Sequence, residues 1–67
     1  MDVDDTRARL IRLQAERFEA LELGIEIPSP YMARLESAIE EARADHVTSA
    51  VLEIAQLRES LAGATHG

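Results

Sequence analysis

The second half of the chain contains a largely apolar stripe that no glycine or proline interrupts. Its members are spaced three or four residues apart, and this spacing places them on one face of an α-helix. They are Met32, Leu35, Ile39, Ala42, His46, Ala50, Ile54, Leu57 and Leu61. The pattern therefore predicts one long helix from about Pro30 to Ala62, followed by a short tail over residues 63–67.

A shorter helix is predicted over about residues 3–23. Asp2, Asp5 and Thr6 are all suitable N-caps, and acidic residues near the start interact favourably with the positive end of the helix dipole. At about 100° per residue, one broad face of this helix collects its large apolar side chains. They are Val3, Leu10, Ile11, Leu13, Phe18 and Leu21. This helix is therefore expected to pack through that face.

The connector between the two helices, residues 24–29, has strong boundary signals. Gly24 suits the left-handed residue that closes a helix, and Ser29 followed by Pro30 is a typical helix start. Ile25 and Ile27 alternate in an extended stretch, so both side chains are expected to point inward. These signals predict a hairpin of two antiparallel helices.

The segment from Asp45 to Ser49 leaves one alternative open, because it contains β-branched residues and residues that favour helix caps. A break there would give three short helices and a self-sufficient bundle. The stripe keeps its phase through the segment, which lacks glycine and proline, and this favours the continuous helix.

The two predicted helices differ in length, and this difference is the main argument for self-association. About 33 residues span roughly 50 Å, whereas about 21 residues span roughly 30 Å. The first helix then covers the second only to around Leu52. Ile54, Leu57 and Leu61 would lie in water. Each would then lose the roughly 1.5–3 kcal/mol of stabilisation that full burial of such a side chain provides.

The expected fold is therefore an all-α helical hairpin, with a short first helix and a long second one, that self-associates into a bundle. A dimeric four-helix bundle is the leading form. The choices between dimer and tetramer, and between parallel and antiparallel pairing, stay open.

Size and composition agree with an oligomer. A chain of 67 residues without cysteine has no disulfide or thiolate metal site to support a small core. The net charge of −6, from 13 acidic and seven basic residues, argues against direct binding of nucleic acid or an anionic membrane. No apolar run could span a bilayer, and the acidic N-terminus is unlike a signal peptide. A cytoplasmic protein without metal or cofactor is expected.

His46 is the stripe residue with the greatest chemical interest. It lies between Ala42 and Ala50, near the midpoint of the predicted second helix. If two copies pair antiparallel through this helix, two imidazoles face each other near the two-fold axis. Association would then weaken as the pH falls through the histidine titration range. The alternative is a partly buried histidine capped by a neighbouring carboxylate or water.

Arg7 and Gln14 lie one heptad apart within the apolar face of the first helix. They are candidates for a polar interface layer that fixes partner and register, or for a docking hot spot built on Arg7. The alternative is that Arg7 extends past the helix end and Gln14 lies at the edge of the face.

Two further groups have both structural and functional interpretations. Tyr31, beside the connector, can cap the end of the bundle or form an exposed apolar knob for a partner. Four carboxylates form an acidic band, which is expected to be a solvated face with Glu40–Arg43 as a surface pair. The band consists of Glu36, Glu40, Glu41 and Asp45. No Glu-x-x-His metal motif precedes His46, because Arg43 stands at that position.

No catalytic constellation stands out, because the chain has no cysteine, no glycine-rich phosphate loop and no serine with an activating arrangement. The expected function is a non-enzymatic protein–protein interaction module: an adaptor, regulator or accessory subunit of a larger protein. Layouts of this kind are common among small bacterial helical hairpins. The alternative is an antitoxin-like or anti-activator protein that blocks a basic surface of a dedicated target.

Overall fold

The computed structural model describes residues 2–65, with the side chains of residues 2–63. Its two helices are α1, Val3–Glu22, and α2, Pro30–Thr65. They pack against each other as a hairpin that measures 60 × 15 × 13 Å. The predicted all-α hairpin is confirmed, whereas its assembly into a four-helix bundle stays a prediction.

The two ends of α1 are fixed by local hydrogen bonds. Asp2 is the N-cap, and its side chain accepts a hydrogen bond from a backbone N–H of the first turn at 3.4 Å. At the other end, Gly24 adopts a left-handed φ of 84°. The N–H of Gly24 donates to the carbonyl of Leu21, and the N–H of Ile25 to that of Ala20, each at 3.0 Å. These two bonds form a Schellman motif, which turns the chain out of the helix.

The start of α2 and its continuity agree with the sequence. Ser29 accepts a hydrogen bond from the N–H of Met32 at 3.2 Å, so it caps the helix that begins at Pro30. α2 then runs unbroken through residues 45–49. The continuous helix is therefore confirmed, and the three-helix alternative is excluded.

The C-terminal end of α2 lies further along the chain than predicted. The helix passes through Gly63 and reaches Thr65 instead of ending at Ala62. A glycine inside a helix costs only about 1 kcal/mol relative to alanine, so Gly63 alone does not force the chain out. Residues 66–67 of the predicted tail lie outside the described residues.

The contact between α1 and α2 follows the same three-four spacing on both helices, and we call these positions the seam. The α2 positions are Met32, Leu35, Ile39, Ala42, His46 and Ser49. The α1 positions are Val3, Thr6, Leu10, Leu13, Arg17 and Ala20. All are buried or half-buried. Alternating steps of three and four are the heptad spacing of helices that pack nearly antiparallel.

The apolar core lies at the connector end of the seam. Its buried members are Ala20, Met32, Leu35 and Ile39, and Leu10, Leu13, Leu21 and Ile25 pack against them. Met32 is fully enclosed. Toward the far end the seam residues become small or polar, as in Ala42, Thr6 and Ser49. The core therefore stabilises one half of α2 and leaves the other half outside.

Part of the predicted apolar face of α1 is exposed to solvent. Ile11 is 57% and Phe18 65% exposed, because both lie roughly a third of a turn from the seam. The prediction was wrong for these residues, since a single partner helix covers only a narrow strip of α1. The inward orientation predicted for Ile27 is also wrong: that side chain is exposed, and only Ile25 packs against the core.

α2 extends well beyond α1, as the sequence predicts. All described side chains from Val51 to Gly63 are exposed, and we call residues 51–63 the overhang. Ser49 is the last buried residue in the part of α2 whose side chains are described. It lines a groove together with Asp2, Val3, Leu52, Glu53 and Gln56, so α1 begins level with residues 49–56 of α2.

Replacing Met32 by alanine tests the position of the core. The substitution empties a fully enclosed site and should lower the free energy of unfolding by roughly 2–5 kcal/mol. Leu52→Ala is the control, because Leu52 is exposed and surface changes usually alter stability by less than about 0.5 kcal/mol. Urea denaturation followed by circular dichroism measures both. Equal losses in the two variants would place the core elsewhere.

Candidate interaction surface

A polar contact joins the two helices near the far end of the seam. The Thr6 side chain is buried, and its Oγ1 lies 3.1 Å from Nδ1 of His46. The Thr6 hydroxyl also donates to the backbone carbonyl of Val3 at 2.9 Å. Because the hydroxyl proton is directed to the Val3 carbonyl, the Thr6 oxygen can accept a proton from Nδ1 in the His46 tautomer that carries one there. His46 is thus held within one chain, and its pairing with a second His46 stays a prediction.

Thr6 and Ser49, the buried polar seam residues, were not predicted to lie on the seam. A signal was present, because Thr6 stands seven residues before Leu13 and Ser49 seven residues after Ala42. Extending the heptad in both directions would have placed both residues on the seam. Because both side chains are polar, an apolar pattern alone does not include them.

The seam and the apolar stripe separate at His46. The seam takes a step of three to Ser49, whereas the stripe takes a step of four to Ala50. One residue turns an α-helix by about 100°, so the two rows continue on different faces. Beyond Ser49 the seam spacing falls only on polar residues, which we call the polar edge. They are Glu53, Gln56 and Ser60.

The stripe continues beyond His46 as a row of apolar side chains of which Ala50 is half-buried and the others are exposed, and we call it the overhang face. It consists of Ala50, Ile54, Leu57 and Leu61. The three large side chains are 51%, 58% and 66% exposed, in chain order. Val47, one turn before Ala50, is also exposed. Contiguous exposed apolar rows of this kind mark sites of association.

The overhang face opens to one particular side of the hairpin. On that side a groove runs between the helices, and we call it the Gln14 groove. It is lined by Gln14, Arg17, Glu36, Ile39, Glu40 and Arg43. Ala50, Leu57 and Leu61 stand 7, 14 and 18 residues after Arg43, and these separations are close to whole numbers of helical turns. The overhang face and the Gln14 groove therefore face the same way.

Three of the four carboxylates in the predicted acidic band are paired with arginines. The pairs are Arg17–Glu36 at 3.9 Å, Arg9–Asp45 at 3.3 Å and the predicted Arg43–Glu40 at 2.6 Å. Exposed pairs of this kind contribute only about 0–1 kcal/mol each to stability. Their larger effect is electrostatic, because they neutralise most of the band.

The predicted interface residues fall into distinct environments. Met32, Leu35, Ile39 and Ala42 are buried within the single chain, whereas the large residues of the overhang face are exposed. Arg7 and Gln14 are both exposed, and Gln14 lines the groove that carries its name. The role of these residues in an oligomer stays a prediction.

Tyr31 connects the first turn of α2 to α1. Its hydroxyl donates a hydrogen bond of 2.8 Å to Oε1 of Glu16. This bond raises the pKa of Tyr31, and the negative charges of Glu16 and Glu19 add to the rise. Tyr31 therefore closes the outer side of the hairpin next to the connector.

Other kinds of site find no support in the part of the chain that the structure describes. No group of three or more histidine, aspartate or glutamate side chains there is placed to hold a metal ion. Neither described helix contains a stretch long and apolar enough to cross a membrane. Comparison with protein families, with curated proteins and with solved structures finds no match. The overhang face and the Gln14 groove are thus the features from which function is inferred.

Replacing Thr6 by valine tests the polar contact. The change keeps the side-chain shape but leaves Nδ1 of His46 without its partner, so the free energy of unfolding should fall by about 1 kcal/mol. Thr48→Val is the matched control, since Thr48 is exposed. Urea denaturation at fixed protein concentration measures both variants. An equal loss of unfolding free energy in Thr48→Val would show that the Thr6–His46 contact does not stabilise the fold.

The titration of Tyr31 tests its bond to Glu16. Tyr31 is the single tyrosine, so absorbance of the phenolate reports its pKa directly. Because the folded chain raises this pKa, the contribution to stability is present below the ordinary phenol pKa and is lost as the pH rises through the raised value. Glu16→Gln should lower the pKa toward its ordinary value, and Glu19→Gln should lower it less. The reverse order would contradict the assigned cause.

Proposed function

We propose that this protein is a non-enzymatic interaction module that acts as a homo-oligomer. Each chain supplies a preformed hairpin, and copies associate through the overhang face. The assembled surface then binds a larger protein, for which this chain serves as an adaptor, regulator or accessory subunit.

The observation that carries this proposal is the exposure of the overhang face. Ile54, Leu57 and Leu61 are each more than half exposed, and α2 holds them in one row on a continuous helix. Covering the exposed part of each side chain would contribute roughly 1–2 kcal/mol. Among the described residues, α1 reaches α2 no further than the groove that Val3 shares with Gln56, and this leaves the row exposed. We therefore infer that another chain covers it.

An antagonist that blocks a basic surface receives less support. Such a protein needs free carboxylates on its binding face, whereas most of the acidic band is already paired with arginines. A basic target would have to compete with these arginines for the same oxygens. The interaction module therefore remains the preferred function.

Replacing Leu57 by glutamate tests the role of the overhang face. A charge in the middle of the apolar row should reduce the molar mass to that of one chain, because a buried carboxylate without a partner opposes association. Light scattering coupled to size-exclusion chromatography measures the mass. The unaltered chain should elute as a multiple of one chain.

Leu52→Glu is a closely matched control for this experiment. Leu52 is 57% exposed and Leu57 is 58% exposed, but Leu52 lies on the opposite face of α2 from the overhang face. Leu52→Glu should keep the oligomeric mass, and circular dichroism should show both variants equally helical. A single-chain mass for the unaltered protein would refute the proposal.

A further inference from the structure

Building on the proposed homo-oligomer, we infer that the overhangs of two copies pair as a short parallel coiled coil. The occupant of the overhang face is a second copy of this chain, in register and pointing in the same direction. The two-fold axis runs between the two α2 helices and is parallel to them. The two hairpin bodies then lie side by side at the N-terminal end of the coiled coil.

The apolar side chains of the overhang face and Val47 repeat every seven residues. Val47, Ile54 and Leu61 are seven residues apart, and Ala50 and Leu57 each follow one of them by three residues. The first set occupies the a positions of a heptad, and the second set occupies the d positions. The four large side chains are each more than half exposed in the single chain. The heptad therefore needs a helix of another chain.

The residue types at these positions favour two parallel strands. Parallel two-stranded coiled coils prefer β-branched residues at a and leucine at d, whereas other combinations shift the preference to three or four strands. Val47 and Ile54 are β-branched residues at a, and Leu57 stands at d. Leu61, at the last a position, departs from this preference. The central layers, Ile54 and Leu57, match a parallel dimer.

The charges on the two flanks of the heptad agree with the parallel direction. Glu53 occupies a g position, and Arg58 occupies the e position five residues later. In a parallel coiled coil, the residue at g contacts the next e residue of the other helix. Glu53 of each copy therefore pairs with Arg58 of the other, and the two-fold axis makes this pair twice. Among the described residues, the ion pairs within the single chain include neither residue.

An antiparallel pair of the same helices lacks this complementarity. Antiparallel helices place g beside g and e beside e. When the two apolar rows overlap fully, Glu53 then comes closest to Ser60, and Arg58 comes closest to Val51. Neither contact joins opposite charges, so the charge pattern of the overhang distinguishes the two directions.

The position of α1 is a further argument for the parallel direction. α1 packs on the seam, about 100° around α2 from the overhang face, so it stands beside the second α2 helix. A parallel axis puts the two α1 helices on opposite flanks. An antiparallel axis puts both on one flank, where their starts would meet because α1 reaches the groove shared with Gln56. Each start carries Asp2, Asp4 and Asp5, whose like charges oppose such a contact.

The contact ends where charged residues replace the apolar row. The same spacing, continued backward from Val47, gives Arg43, Glu40 and Glu36. In a parallel pair each of these residues would stand opposite its own copy, so the two α2 helices separate before Arg43. The Gln14 groove of each body opens to the side of the overhang face. The two grooves therefore face each other across this separation and stay open for the larger partner.

The coiled coil is short, but its helices are preformed. Residues 47–61 span about 22 Å, and a contact of this length lies at the small end of specific interfaces. α2 is one continuous helix, and the seam holds its first half, so association does not require helix nucleation. We expect a reversible dimer whose mean mass rises with protein concentration.

Disulfide cross-linking distinguishes the two directions, because the chain contains no cysteine. Ala50→Cys, Leu61→Cys and, on the opposite face, Leu52→Cys are each oxidised gently alone. Ala50→Cys and Leu61→Cys are also mixed in equal amounts, one of them carrying a tag. A disulfide needs Cα atoms about 4.4–6.8 Å apart. In the parallel dimer each of these two positions faces its own copy, whereas in the antiparallel pair Ala50 faces Leu61.

We expect Ala50→Cys and Leu61→Cys each to form covalent dimers alone. The mixture should form no tagged–untagged heterodimer, because the two positions are about 16 Å apart along the axis. The opposite pattern would overturn the parallel arrangement. Leu52→Cys dimers as abundant as those of the other variants would indicate random collisions and would overturn it as well.

An exchange of charges tests the Glu53–Arg58 pairing. Glu53→Arg alone and Arg58→Glu alone each put like charges together at both copies of the pair, and each should weaken dimerisation roughly 5–30-fold. An equal mixture of the two variants restores opposite charges in the heterodimer and should recover the mean mass of the unaltered chain. Sedimentation equilibrium measures this mass. Glu59→Arg, at an outer position of the helix, is the matched control and should leave the mass unchanged.

Two results of the charge exchange would contradict the arrangement. One is an unchanged mass in both single variants, and the other is a weakened mass that the mixture does not restore. In either case an oligomeric mass of the unaltered chain upholds the proposed function. A single-chain mass at every concentration up to about 1 mM, where even a weak dimer would be populated, removes both proposals.

Discussion

The seam between α1 and α2 can continue only as far as both helices supply residues to it. α1 has 20 residues and α2 has 36, so the seam stops at Ser49. The pattern of polar and apolar residues in α2 changes beyond Ser49. The positions that would extend the seam become polar, and the apolar positions move to a different face. One helix thus carries a face that is buried against its own chain and a second apolar face that its own chain leaves exposed.

The Thr6–His46 bond has a specific effect on this seam. It lies in the small and polar part of the contact, where apolar packing alone would allow α1 to slide by a heptad. Such a slide would leave the imidazole nitrogen of His46 without its partner, at a cost of about 1–3 kcal/mol, whereas the Thr6 hydroxyl would keep its bond to the Val3 carbonyl. In the native register, no buried side-chain nitrogen or oxygen of the described residues lacks a partner. The polar layer therefore fixes which α1 residue faces which α2 residue, as polar core positions do in coiled coils.

Features that depend on short stretches of chain could be predicted from the sequence. The cap at Ser29, the left-handed Gly24 and the unbroken α2 all follow from neighbouring residues, and the N-cap of α1 was narrowed to three candidates that include Asp2. The uncovered end of α2 also followed, because the rise per residue of a helix is constant. The exposure of Ile11 and Phe18 could not be predicted in this way. Which face of α1 is buried depends on where α2 lies, and α1 has large apolar side chains on more than one face.

The ion pairs between the two helices also could not be predicted from short stretches of the sequence. The pair of Arg43 with Glu40, three residues away on one helix, was predicted and is confirmed. Arg9–Asp45 and Arg17–Glu36 join residues far apart in the chain, and they become visible only when the register of the seam is known. The acidic band therefore looked more negative in the sequence than it is in the folded chain.

The connector, finally, has a consequence for the order of folding. It joins the two helices through seven residues, 23–29, and backbone hydrogen bonds and caps fix both of its ends. The first layers of the seam to close, around Ala20 and Met32, are therefore near neighbours along the chain and lose little loop entropy when they meet. Closure outward from there toward Thr6 and His46 costs little further loop entropy at each step. Contacts that are this close in sequence favour fast folding of the single chain.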